Sequence, residues 1–281
     1  MLDTVSPERL LARADLCARW AGLALGAVVA QQLALIRSDD MSMPFVSAVT
    51  AFGLCAVGGV LLGDSLTPAP QDTVRKAALA PRRVRDHVPP RMAPLIAFQA
   101  ACLTVLLTIG ATVGSVDKTG RAGRGLAVTC RTTTRHLSPW PGLFYTPLIL
   151  ISLALGTAAC VWALRRVAHR PGDNRQRHDR SWAITAAWGL LVSSQLLLVL
   201  GMIATVLSKA TCAGMLGNVT ALVIYPLGLV SLFTLGWCVF TIVVPRAVDD
   251  IPAVRTGADD LPAGRTVADD LPATRALGDD E

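Results

Sequence analysis

Residues 181–208 have the sequence SWAITAAWGLLVSSQLLLVLGMIATVLS, a run of 28 residues without aspartate, glutamate, lysine or arginine. A helix needs about 20 predominantly apolar residues to cross the hydrocarbon core of a bilayer. The segment exceeds that length, and it therefore predicts a transmembrane helix.

Five further uncharged segments flank this one along the chain. They are Trp20 to Ile36, Met41 to Gly63, Met92 to Val116, Leu137 to Leu164 and Ala210 to Pro245. Over the whole chain, 52% of the residues are hydrophobic and 16% are charged. The charged stretches between the segments are too short to bury a core of their own. We therefore expect an all-α, polytopic integral membrane protein with six transmembrane helices, which excludes a water-soluble enzyme domain of any size.

The same boundaries divide the chain into three regions. Residues 1–19 are predicted to form a cytoplasmic amphipathic approach helix, residues 20–245 the six-helix transmembrane domain, and residues 246–281 a disordered tail. The spans are placed at about 20–36, 44–63, 93–116, 141–164, 183–207 and 221–244.

The distribution of basic residues predicts the orientation. With six spans, nineteen of the 26 lysine and arginine residues fall on the side that holds both termini, and seven fall on the other side. Short cytoplasmic loops are enriched in lysine and arginine. We therefore expect a multi-pass protein of the plasma membrane with both termini cytoplasmic and its inner basic loops beside anionic headgroups. Five residues of the second external loop oppose this trend: Lys118, Arg121, Arg124, Arg131 and Arg135.

The tail contains a repeat of ten residues. Aspartate pairs occur at 249–250, 259–260, 269–270 and 279–280, and each of the first three precedes an aliphatic residue, a proline and an alanine. Such units bury too little apolar area to offset the chain entropy of folding. One interpretation is a multivalent tail that docks a cytoplasmic protein partner. The other is a slippage-expanded repeat without a partner.

Ionisable, histidine and aromatic residues are not arranged in a pattern that predicts a catalytic or binding site. The six uncharged segments contain no ionisable side chain of the kind that marks ion pathways in membranes. The four histidines lie in loops without paired-ligand spacing. The aromatic residues are too few for a platform that stacks bases. We expect no catalytic residue, no metal site, no cofactor and no nucleic acid, and therefore no enzyme.

Polar side chains inside the predicted spans are the remaining candidates. They are Gln31, Gln32, Gln99, Ser194 and Gln195. Amides in hydrocarbon find hydrogen-bond partners on neighbouring helices. We expect interhelical contacts from these residues, with substrate binding as the alternative.

Glycine pairs with the spacing GxxxG occur in three of the spans: Gly22 and Gly26, Gly59 and Gly63, and Gly110 and Gly114. Such pairs let helices approach closely. In a six-helix chain they favour packing within the molecule over dimerisation. Trp140 and Tyr145 mark the outer end of span four, and aromatic rings of this kind are typical of the headgroup level.

Two of the seven cysteines are predicted to lie outside the cell. Cys130 and Cys212 fall in the second and third external loops, where oxidising conditions permit a disulfide. Sequence alone does not bring their Cα atoms within bonding range. The two residues are therefore either bridged or free.

Arginine outnumbers lysine by 23 to 3. This bias, the segment from Arg180 to Gly189 and the cysteine-bearing outer loops resemble the multi-span membrane proteins of high-GC, Streptomyces-like actinobacteria. The resemblance covers the six spans and not the tail. It implies an integral membrane protein and no particular activity or functional residue.

Two functions are consistent with these observations. The first is a non-enzymatic accessory, sensor or scaffold component of the membrane. The alternative is the membrane permease subunit of an ATP-driven exporter, with an ATPase subunit as its partner. Six spans and two cytoplasmic ends suit both.

The topology can be tested with a reporter that is active only outside the cytoplasm. Because the basic residues divide nineteen to seven, we expect activity from a fusion after Val116 and none from a fusion after Glu281. Activity at the tail would contradict the topology.

Overall fold

The computed structural model describes residues 7–36, 42–66, 92–117, 120–130, 133–169, 174–210 and 214–244. The repeat tail lies outside these residues. So does Cys212, and nothing is described of the Cys130 side chain. The interpretations of the tail and of the cysteine pair therefore stay predictions.

Six helices make up most of the described chain. They are α1 Pro7–Leu35, α2 Ser42–Leu66, α3 Met92–Val113, α4 Thr146–His169, α5 Asn174–Lys209 and α6 Gly214–Val243. Each is long and apolar enough to cross a membrane. The structure confirms the all-α fold with six helices capable of spanning. The segment expected as an approach helix continues without a break into the first span, because α1 begins at Pro7.

Neighbouring helices run in opposite directions. Asp15 of α1 lies against Gly63 of α2, whereas Gly26 lies against Phe52, so rising numbers in α1 meet falling numbers in α2. The contacts between α4 and α5 follow the same order. The bundle thus has two ends. The "arginine end" holds the start of α5 with Arg177 and Arg180, and the "hairpin end" holds the connection from α3 to α4.

Helix α5 is the centre of the bundle. It contacts α2, α3, α4 and α6. In its most apolar window 72% of the residues are buried within the protein, against 17% to 44% for the other five candidate spans. Leu190, Leu191 and Leu196 are fully buried. A helix that is apolar on all sides belongs in the interior, and residues 181–208 have this composition.

The closest helix pair is α1 with α2. A Cβ built on Gly22 would lie 2.5 Å from the Cα of Gly59, and one built on Gly59 would lie 2.6 Å from the Cα of Gly22. The two backbones therefore touch at these glycines, as small residues at membrane helix contacts allow. The other four GxxxG glycines also lie against neighbouring segments of this chain: Gly26, Gly63, Gly110 and Gly114. Their predicted role in internal packing is confirmed.

A β-hairpin at the hairpin end was not expected from the sequence. Strand β1, Leu126–Cys130, pairs antiparallel with β2, Thr133–Leu137, and Leu126 lies opposite Leu137. The β-branched residues of both strands favour this structure. Gly120 and Gly123 precede it with φ of 79° and 73°, a region that favours glycine.

The helices at the arginine end extend beyond their predicted bounds. Helix α5 begins at Asn174 rather than near 183, and α4 continues to His169 rather than 164. Residues 165–169 and 174–180, which lie beyond the predicted spans, are therefore helical. Helical hydrogen bonding continues past the last apolar residue, since charged side chains are compatible with a helix. At the other end α4 begins at Thr146, later than the predicted 141.

Gly58 and Gly59 offer a matched test of the α1–α2 contact. We expect Gly59→Ala to lower the free energy of unfolding by about 1 to 3 kcal/mol, because its methyl group would overlap the Gly22 backbone. Gly58 has nothing within 4 Å of an added Cβ. Gly58→Ala should therefore leave stability unchanged or raise it by about 0.5 to 1 kcal/mol through helix propensity. Denaturant unfolding in micelles measures both, and equal effects would contradict the contact.

Candidate functional site

Two glutamine side chains each join a pair of helices inside the bundle. The Nε2 of Gln99 donates to the Oγ1 of Thr234 at 2.9 Å and links α3 to α6. The Nε2 of Gln195 donates to the Oγ of Ser152 at 2.6 Å and links α5 to α4. All four residues are buried. Each bond of this kind contributes roughly 0.6 to 2 kcal/mol in a membrane. These four residues form the interior polar groups of the bundle.

The other three polar residues predicted from the sequence do not join these interior polar groups. Ser194 donates to the carbonyl of Leu191 in its own helix at 3.1 Å. Gln31 and Gln32 are exposed on α1. The structure thus separates the five residues into an interior pair that binds helices together and an outer group on α1 and α5.

Gln31 and Ser194 line a cavity in the side of the bundle. Its volume is about 530 Å³, and α1, α2, α5 and α6 all contribute to its wall. Apart from these two residues, the described lining is apolar and includes Ala34, Phe45 and Phe52. The described lining carries no charged side chain. A site of this composition suits an apolar ligand with a single polar group.

Buried charges at the arginine end correct one expectation. The Oδ1 of Asp64 in α2 lies 3.4 Å from the Nη1 of Arg180 in α5. Asp64 is 7% exposed and Arg177 is 5% exposed. All three were expected in cytoplasmic loops, and all three lie within helices instead. The uncharged segments are shorter than the helices, and pairing makes burial of the charges tolerable.

A second ion pair lies on α1 beside this cluster. The Nη2 of Arg19 lies 2.5 Å from the Oδ2 of Asp15 one turn earlier, and Asp15 also packs against Gly63 of α2. Arg180 and Gln195 are fifteen residues apart on α5, which is about 22 Å along a helix. The charge cluster and the interior polar groups are therefore separate features. The pair of Asp64 and Arg180 joins α2 to α5, and Asp15 brings α1 against α2 at the same end.

Arg124 organises the hairpin end. Its Nη1 lies 3.6 Å from the Oδ2 of Asp117, and its Nε donates to the hydroxyl of Tyr145 at 3.1 Å. The guanidinium also lies 5.1 Å from the ring centre of Phe144, in cation–π geometry. Arg124 is itself buried at 5% exposure. These contacts fasten the hairpin to the start of α4.

Trp140 and Tyr145 are inside the protein and not at its lipid surface. Trp140 is 8% exposed, Tyr145 is fully buried, and the Nε1 of Trp140 donates to the carbonyl of Gly110 at 2.9 Å. Their predicted depth at the headgroup level stays a prediction. The polar atom of each ring finds its partner in the protein, so each ring packs inward. Trp20 and Trp162, at 49% and 60% exposure, do face outward.

The described residues contain no group of three histidine, cysteine, aspartate or glutamate side chains that could hold a metal ion. Cys17, Cys55, Cys102, Cys160 and Cys238 are free thiols on the helices.

Comparisons with protein-family models, with curated proteins and with solved structures found no match to this chain. Functional assignment therefore depends on the geometry of its own residues.

A double-mutant cycle tests the pair that joins α2 to α5. Asp64→Asn should lower the free energy of unfolding by about 3 kcal/mol, because Arg180 would keep its charge in a buried place without this carboxylate. Adding Arg180→Gln should recover part of the loss. Asp179→Asn is the control: Asp179 is exposed, and its change should stay within about 0.5 kcal/mol. Additive effects of the two changes would show that the pair is not coupled.

Proposed function

We propose that this protein is a non-enzymatic accessory component of the plasma membrane that acts as a scaffold for a cytoplasmic partner. The observation that carries the proposal is the burial of α5. In a transporter the centre of the bundle supplies the substrate path, whereas here it is filled by apolar side chains of α5. The amide nitrogens of Gln99 and Gln195, two of the buried polar side chains, donate to neighbouring helices. Such groups serve cohesion.

The orientation with both termini in the cytoplasm forms part of the proposal. It is supported by the nineteen-to-seven division of basic residues. Arg124 is one of the five basic residues that opposed this orientation. Its pairing with Asp117 inside the bundle reduces the positive charge that the hairpin end presents to its surroundings.

The repeat tail is the proposed docking element. Four aspartate pairs spaced by ten residues present several copies of one short acidic unit. Weak contacts on one tether act together, because binding of one copy raises the effective concentration of the next. Anchorage by six spans would hold these copies at the membrane surface.

The permease of an ATP-driven exporter is less well supported. Alternating access requires parts of the bundle to separate around a central path. The side chain of Leu191 packs where a Cβ of Gly53 or Gly156 would lie, and so it fills the space between α2, α4 and α5. The cavity on the side of the bundle does not replace such a path.

Stepwise shortening of the tail tests the scaffold function. Truncation after Asp250 should leave membrane insertion and thermal stability unchanged, since the units removed have too little apolar area to form a core. Affinity of the full chain for its cytoplasmic partner should fall in steps as units are deleted. Variants with each aspartate pair replaced by an asparagine pair keep the length and serve as charge controls. Binding that ignores copy number would refute the avidity mechanism, and co-purification of a stoichiometric ATPase would favour the permease.

A further inference from the structure

The cavity beside Gln31 lies in the half of the bundle nearer the hairpin end. Helix α1 contributes residues close to its last turn, and α2 contributes residues from its first half, from Phe45 to Phe52. Those seven steps along α2 correspond to about 10 Å at 1.5 Å per residue. Helices α1 and α6 barely touch each other. The cavity is therefore positioned between them, where the surrounding medium of a spanning protein is hydrocarbon.

The volume and lining of the cavity discriminate between possible occupants. Water does not fill apolar cavities, because it needs two to four polar partners there. The cavity volume is about 530 Å³. A single hydrocarbon chain is much thinner than a helix of about 10 Å diameter, so it can enter between the side chains that line the cavity.

Gln31 indicates what is attached to that chain. Its side chain is exposed at the cavity, and it makes no hydrogen bond to another described residue. It lies four residues before the end of α1 at Leu35, which places it about 6 Å below that end. An amide at this depth needs a partner, and the ester linkages of glycerolipids lie near the boundary of the hydrocarbon core. The absence of charge from the described lining favours a neutral group over a phosphate.

We propose that this cavity is a lipid site that takes one acyl chain of a diacyl glycerolipid from the leaflet at the hairpin end. The Nε2 of Gln31 donates a hydrogen bond to the ester carbonyl of that chain. Phe45 and Phe52 contact the chain itself, and Ala34, which is exposed on α1, lines the cavity beside Gln31. The proposal requires membrane insertion and is independent of the scaffold function.

Photolabelling of the full chain in dioleoylphosphatidylcholine vesicles tests the site. The probe is phosphatidylcholine with a diazirine in one hydrocarbon chain. That chain is attached by an ester in one form of the probe and by an ether in the other. Peptides that contain residues 45–52 and 194–198 should carry the label. Ala34→Trp should reduce labelling of these peptides severalfold, because the indole would occupy the entrance. Ala24→Trp is the matched control, since Ala24 is exposed on the same helix and does not line the cavity.

The two probes separate the polar contact from the apolar one. Gln31→Leu should lower labelling by the ester probe about threefold to tenfold, the effect of a hydrogen bond of about 0.6 to 1.4 kcal/mol. It should leave labelling by the ether probe unchanged, because an ether has no carbonyl. Gln32→Leu alters the neighbouring exposed amide and should affect neither probe. These variants change exposed positions, and thermal unfolding verifies that each is folded.

Three results would overturn the proposal. Label spread evenly over the exposed face of α6 would show ordinary contact with bulk lipid. Equal loss with both probes in Gln31→Leu would remove the ester contact. A dimer that Ala34→Trp dissociates, with lipid labelling unchanged, would identify a second copy of this chain as the occupant.

Discussion

The burial of α5 on nearly all sides is the constraint on which the remaining structure depends. A polar group in this helix cannot reach water or lipid headgroups from the middle of the bundle, so it must be satisfied within the protein. Hydroxyl groups such as that of Ser193 bond to a carbonyl of α5 itself, whereas longer side chains reach other helices. Gln195 reaches Ser152 of α4, Trp188 reaches Thr157 of the same helix, and Arg180 reaches Asp64 of α2. The contacts that satisfy α5 therefore determine where its neighbours lie.

The spans could be predicted from the sequence, whereas their ends could not. Charge-free segments identify where hydrocarbon can surround a helix, and all six coincide with helices of the structure. Such a segment ends at the first charged residue, but a helix ends where its backbone hydrogen bonding stops. Asp64 and Arg180 were assigned to loops for this reason, although each lies in a helix and is largely buried. The chemistry that permits their burial is a pairing across 116 positions of sequence, which local pattern does not reveal.

For the candidate sites, too, part could be predicted from the sequence and part depends on the packed structure. Gln99 and Gln195 could be identified as interhelical donors from residue type and depth alone. Gln31 has the same type, yet it faces a cavity, because only the packed bundle determines which face of α1 is covered. The inward rings of Trp140 and Tyr145 depend on the Gly110 carbonyl and on the Arg124 guanidinium, which lie 30 and 21 positions away in sequence. Residue type therefore predicts the need for a contact, and the fold determines which residue meets it.

The glycine contact between α1 and α2 has a consequence for how the protein is made. Its residues are close in sequence, so the first two spans can pair as soon as both have left the ribosome and entered the membrane. The bond from Gln99 to Thr234 joins residues 135 positions apart and must wait for the last helix. During synthesis the first two helices can therefore be paired while the Gln99 side chain still lacks its partner on α6.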